Sequence, residues 1–207
     1  MELQVDKVPW TEFVPLVSPH LKGAPDQVII HEVINATREL CDAAKVLRRE
    51  YELDAWRGVD TYKVEEPEGA HFVTLMKAEL DGRPYPLAPM NAALYRQPGA
   101  WFEYPDTIHL YPCPGLDIPS GIYLQFSITP RTTSAEVDAV LLERHSEVVV
   151  HGALARLFLY PRTEWTDAVA AQYHRLEFDR AIERLRIRQR RAHQAGPLVA
   201  RPIRRWI

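Results

Sequence analysis

The stretch from Ser134 to His193 constrains this chain more than any other. It reads as two long helices joined at Pro161. In the first, Val137, Val140, Leu141, Val148, Ala155 and Leu157 recur at helical spacing after Ser134, a helix N-cap residue type. Gly152 and Ala153 are small where another helix can approach closely. Pro161 stops the helix, because proline lacks the N–H and restricts the residue before it. Thr163 or Thr166 is the predicted cap of the second helix. That helix carries Val169, Tyr173, Leu176, Ile182 and Leu185 and runs into an arginine-rich end. An apolar face of that length must pack on something, inside the chain or on a neighbour.

Charge is divided unevenly along the chain. Residues 1–174 hold 15 Lys and Arg against 25 Asp and Glu, a balance of -10. Residues 175–207 hold 10 Arg against 3 acids, a balance of +7. All ten cations are arginine, which suits bidentate contact with carboxylate or phosphate. The C-terminal end therefore calls for an acidic partner, either nucleic acid or an acidic protein surface. The apolar fraction of 46% allows a sizeable core. Two cysteines, Cys41 and Cys113, give no disulfide framework, so a reduced compartment is expected. The sequence shows no membrane-length apolar run and no signal-peptide layout, so a protein kept in its producer's cytoplasm is expected.

Upstream, a short helix is predicted from Trp10 to Val17 and a long one from Gln27 to Leu53, with Arg48 and Arg49 in its last turns. The middle third changes character. Ten of the seventeen prolines fall between positions 67 and 130, which argues for edge strands and long loops. Strands are predicted over 61–64, 71–80, 84–87, 101–104, 107–111 and 122–129, with Asp81-Gly82 as a hairpin turn. A short helical turn is predicted over 90–95. The expected fold is α+β, mainly α: a bundle of long helices with an inserted small β-rich subdomain and an extended C-terminal arm. The segments are an N-terminal helical half (1–54), the β-rich subdomain (55–130), a helical hairpin (131–193) and the arm (194–207). Extended, residues 196–207 reach about 40 Å at about 3.3 Å per residue. The arm ends in Trp206 and Ile207, which are costly to leave in water.

Few residues suggest chemistry. His31-Glu32-Val33-Ile34-Asn35 has the outline of a metalloprotease helix, but asparagine stands where the second histidine ligand belongs. Glu143, Glu147 and His151 lie four apart on one helix, and His174 and Glu177 three apart on the next. A di-iron bundle needs Glu-x-x-His on two helices, and this order differs. Cys113, between two prolines, reads as a small buried residue rather than a nucleophile. The cluster Glu65, Glu66 and Glu68 reads as a solvated face. Trp101, Phe102, Tyr104, Tyr111, Tyr123 and Phe126 could form a stacking platform for single-stranded nucleic acid, but the interleaved cations are missing and a β core is expected instead. No catalytic site, metal or cofactor is assigned.

Several motifs occur in a fixed order. Trp10-Thr-Glu-Phe-Val-Pro15 precedes Gly23-Ala-Pro25, and Glu39-Leu-Cys41 sits within the long helix. Leu80-Asp-Gly-Arg-Pro84 and Ile108-His-Leu-Tyr-Pro-Cys-Pro114 follow. Gly152 to Pro161 reads GALARLFLYP, and Trp165-Thr-Asp167 with Tyr173 opens the last helix. In this order and spacing the chain resembles the tailed-phage adaptor proteins, also called head–tail connector or tail accessory proteins. The resemblance implies a structural adaptor in the virion neck, made in the host cytoplasm. It implies a self-assembled ring, commonly of twelve subunits, docked under the portal protein and meeting downstream tail or nozzle proteins. Genomic DNA would pass through the lumen without being read, along walls expected to be acidic. The portal-binding residues expected are Arg186, Arg188, Arg190 and Arg191, with Arg201, Arg204, Arg205, Trp206 and Ile207 on the arm. The alternative is a nucleic-acid-binding module that uses the same arginine-rich helix and tail directly. A membrane partner is not expected.

Overall fold

The structure, a computed structural model, describes residues 6–89 and 98–193. The predicted turn at 90–95 and the arm lie outside the described residues. A short strand β1 (Lys7–Pro9) leads through a 3-10 turn at Trp10–Phe13 to helix α1 (Val14–Val17). Helix α2 (Asp26–Ala44), strands β2 (Arg48–Ala55), β3 (Thr61–Lys63), β4 (Ala70–Leu80) and β5 (Arg83–Tyr85) follow. Then come β6 (Gly99–Glu103), β7 (Thr107–Tyr111), β8 (Ile118–Pro130) and β9 (Glu136–Asp138), and helices α3 (Ala139–Leu157) and α4 (Ala168–His193).

The strands form three antiparallel sheets: β2-β8-β4-β5, β3-β7-β6 and the pair β1-β9. This overturns the expectation of a bundle of long helices: the fold is a mixed α+β one. The largest departure from the predicted helix over 27–53 lies between residues 45 and 55. Helix α2 ends at Ala44 because Lys45 turns left-handed, at φ 50°, and its N–H returns to the Cys41 carbonyl. Neither glycine nor proline marks that stop. Arg48 to Ala55 then alternates, with Glu50, Glu52 and Asp54 exposed and Tyr51 and Leu53 turned inward. That is the period of a strand, and it pairs with β8 in register from Arg48 opposite Ser127 to Leu53 opposite Ile122. Arg48 and Arg49 therefore lie on β2, not in the last turn of a helix.

Strands β3 to β8 lie close to the predicted segments, whereas β1 and β9 are additional, and Asp81-Gly82 makes the β4–β5 hairpin. Both turn residues have positive φ, 53° and 69°, as a primed two-residue turn requires. Tyr51, Phe72, Phe102 and Phe126 meet edge to face or tilted, with centroids 4.3–5.9 Å apart, and form the aromatic heart between the sheets.

Ser134 is not the cap of α3. Its carbonyl accepts the indole N–H of Trp10 at 2.9 Å, which ties the start of the chain to the entry of the helical hairpin. Residues 136–138 form β9 instead and pair with β1. The cap of α4 is also a different residue: Asp167 Oδ1 accepts the N–H groups of Val169 (2.9 Å) and Ala170 (3.0 Å). Helices α2, α3 and α4 pack on one another, and α2 also covers β8. At their junction Gly152 of α3 lies between Ala36 of α2 and the ring of Phe178 of α4. All three are buried.

Candidate assembly surface

Helix α4 has two apolar faces. Ala171, Phe178, Ala181 and Ile182 are buried on one side, with Leu185 partly buried beside them. Gln189 continues that side and donates to the Ala44 and Lys45 carbonyls at the end of α2. At 100° per residue the opposite side presents Val169, Tyr173, Leu176 and Ile187. These four are exposed, Val169 at 79% and Tyr173 at 58%. The sequence had placed Val169, Tyr173 and Leu176 on one face with Ile182 and Leu185; the structure separates them. Heptad-like steps, 169-173-176-180-183-187, carry the outer stripe along the helix.

Arginine fills the rest of the outer surface. Arg180 pairs with Glu177 at 2.5 Å and Arg186 with Glu183 at 2.8 Å, each three residues apart. Arg184, Arg188, Arg190 and Arg191 form no ion pair among the described residues. Like charges four apart, as at Arg180-Arg184-Arg188, oppose one another on a helix. Of the anchoring residues expected from sequence, Arg186, Arg188, Arg190 and Arg191 thus lie exposed at the C-terminal end of α4. Arg201, Arg204, Arg205, Trp206 and Ile207 lie outside the described residues.

A charged knot that sequence separation concealed holds α4 to the body. Glu39 of α2 takes Arg156 of α3 at 2.7 Å and Arg175 of α4 at 2.8 Å. Burial pushes the Glu39 carboxyl up, but the hydrogen bonds and charges of the Arg175 and Arg156 guanidiniums outweigh it and leave the group below the usual range. Arg175 also pairs with Asp179 and lies over the Phe178 ring at 5.5 Å. Two turns earlier on α2, Glu32 is buried and accepts Tyr160 Oη at 2.7 Å and Asn35 Nδ2 at 3.3 Å.

The groups considered for chemistry are dispersed. His31 is largely exposed while Glu32 turns inward to Tyr160. Glu177 is taken by Arg180. His151 and His174 do meet, Nδ1 to Nδ1 at 2.8 Å, with His20 and Tyr173 against the His174 ring and Phe158 stacked on it. Among the described residues no group of three His, Cys, Asp or Glu side chains is placed to hold a metal ion. Cys113 is exposed, contrary to the expectation of a buried residue. Of the strand aromatics, Phe126 is buried and Phe102 packs on the core, whereas Trp101 stacks on His109 outside it, at 5.1 Å. No described helix is long and apolar enough to cross a membrane.

The histidine contact makes stability pH-dependent. Burial, then the charges of His151 and His20, hold His174 below the usual histidine range. His145, lowered by burial and by Arg144 and Arg188, behaves alike. As pH falls through the histidine range, about 6.5, the unfolded chain takes up protons that the folded chain refuses, so stability falls. The melting temperature should therefore drop between about pH 7 and pH 5. His174→Gln should flatten that drop, whereas an unchanged slope would assign it to other groups. The loss linked to Glu39 has a depressed carboxylate as its source and comes at lower pH.

Residues 13–201 match the model of the SU10 adaptor protein family. The chain belongs to the SU10 adaptor protein family. Membership bears out the resemblance to tailed-phage adaptors, and with it the virion neck as the place where the chain works. No curated protein matches the chain. Among solved structures it is similar to a chain in the neck of an empty GTA particle computed with C6 symmetry, at 18% identity. That match covers 94% of this chain and 93% of the other, with a TM-score of 0.27, too loose a superposition to argue from. An SU10 adaptor has a structural role, and the two-faced α4 leaves four large apolar side chains exposed on one helix.

Proposed function

We propose that this SU10 adaptor assembles into a ring of twelve subunits that joins the portal protein to the tail and lets DNA pass through its lumen. The observation that carries the reading is the outer surface of α4, where exposed apolar side chains share the helix with Arg184, Arg188, Arg190 and Arg191, which no acid among the described residues pairs. A free monomer gains nothing from that surface, whereas an assembly part does. Family membership supports the same role. The -10 balance of residues 1–174 suits a channel along which DNA slides rather than sticks. Downstream tail or nozzle proteins would meet the ring on its far side.

The portal anchor in this reading is the end of α4 together with the arm. Arg186, Arg188, Arg190 and Arg191 pair with portal carboxylates, as do Arg201, Arg204 and Arg205, while Trp206 and Ile207 fill apolar pockets. A buried tryptophan of this kind contributes about 2–4 kcal/mol as an interface hot spot. Repetition around a ring multiplies the effect through avidity. Deleting residues 197–207 should abolish portal binding and leave the cooperative melt and the helical circular dichroism intact. Normal portal binding by the truncated chain would move the contact to the folded body. Arginines that instead gripped DNA phosphates would show as duplex binding that falls steeply with salt.

A further inference from the structure

A second unsatisfied surface lies on the β part of the molecule. The loop after β2 and the loop before β8 are tied into one tip. Gly58 N–H donates to the Pro114 carbonyl at 2.9 Å, Arg57 N–H to Asp117 Oδ1 at 2.6 Å and Ser120 N–H to Asp54 Oδ1 at 2.8 Å. Tyr62 Oη underpins the tip by donating to the Val59 carbonyl at 3.1 Å. Trp56, Val59 and Leu116 are nonetheless exposed on it, Trp56 at 53% and Leu116 at 68%. Beside them stand Asp54, Asp60 and Asp117, with Glu52 two residues further down β2, all exposed, against Arg57 as the one cation between residues 52 and 60 or 114 and 120. The tip is therefore apolar and acidic where the outer face of α4 is apolar and basic.

Both surfaces are exposed in the single chain, so they do not meet within it. Two α4 helices do not suit one another either. From 168 to 191 the helix carries seven arginines against three acids, and each acid already holds an arginine. A DNA backbone would use the arginines but would leave Val169, Tyr173 and Leu176 without an apolar partner. We infer that the tip of one copy docks on the N-terminal two-thirds of α4 of the next. Trp56, Val59 and Leu116 lie against Val169, Tyr173 and Leu176, and the tip acids face Arg180 and Arg184. The contact joins two different patches, so it is heterologous and propagates around a ring when the rotation closes. This deepens the ring reading above and rests on it. It also separates two roles along α4, the neighbour contact up to Arg184 and the portal contact from Arg186 onward.

Charge reversal on the full-length chain tests the inference. R180E/R184E alters one surface, and E52K/D60K the other while keeping the loop-holding Asp54 and Asp117. Each variant should retain the wild-type melt and lose at least tenfold in self-association by mass photometry and sedimentation, with and without portal. An equimolar mixture of the two should recover assembly, because each reversed patch then finds an opposite charge on the other chain. Trp56→Ala should weaken assembly without changing its charge response. Wild-type rings that survive either reversal, or a mixture that stays apart, overturn this contact and leave the ring standing. So does an R180E/R184E variant that assembles normally but loses duplex DNA. A wild-type chain that stays monomeric at high concentration and on the portal overturns the ring reading and this inference together.

Discussion

Replacing Gly152 with valine should break the helical layer, and even alanine should weaken it. A Cβ built on Gly152 falls 2.7 Å from Phe178 Cε2 and 2.8 Å from the Ala36 Cβ. Neither neighbour can yield cheaply. Ala36 is fixed on the backbone of α2, and Phe178 is a fully buried ring at the centre of the three-helix contact. Overpacking of this kind costs about 1–3 kcal/mol for a small group and more for a branched one. Domains of ordinary stability have about 5–15 kcal/mol in total. At about 2–4 °C per kcal/mol for a chain of this size, alanine should lower the melting temperature by about 2–12 °C. Valine should prevent a cooperative melt at all. Combining Gly152→Ala with Phe178→Leu should recover part of the loss, because the ring edge is the closest atom. An unchanged melt for Gly152→Ala would mean that α3 and α4 do not approach as closely as described.

Asp138→Ala should be comparably damaging for an electrostatic reason. Arg49 Nη2 lies 2.8 and 2.9 Å from the two Asp138 oxygens, and Asp138 is 6% exposed. The pair joins edge strand β2 to the point where β9 passes into α3. Removing the acid leaves the Arg49 guanidinium, itself mostly buried, with no countercharge in place. Breaking such a pair costs about 3–5 kcal/mol, although replacing both partners by apolar residues of similar size is often neutral. Asp138→Ala should therefore fall well below the double change Arg49→Met with Asp138→Leu in chemical denaturation. Equal stability of the two would mean that the ion pair has no structural role.

These two sites also show what the sequence made legible. Gly152 is legible as a place of close approach because a glycine beside alanine in a helix has few other uses. Its partners, Ala36 and Phe178, come from other helices, and no local pattern points to them. The strands of the middle third were legible because prolines, the Asp81-Gly82 turn and alternation mark short extended segments. Strand β2 was missed because helical periodicity runs on past Lys45, where the stop is a left-handed lysine without glycine or proline. The alternation Glu50-Tyr51-Glu52-Leu53-Asp54 was the available signal.

The assembly surface was half legible. Apolar residues in α4 were visible, but which of them faced inward was not, since two stripes on opposite sides of one helix overlap in a linear reading. The arginines stood out by composition. The Glu39 knot with Arg156 and Arg175 was hidden by its sequence separation. The apolar tip at Trp56 and Leu116 was hidden because its two loops meet only once β2 and β8 pair.

A ring seated on the portal is the arrangement proposed for this chain. Cryo-electron microscopy of the purified full-length chain mixed with its portal is the direct measurement. Class averages should show a closed ring of this protein stacked coaxially on the portal, with α4 of each copy at a subunit boundary. Single copies bound singly around the portal, or no density beyond the portal itself, would contradict it.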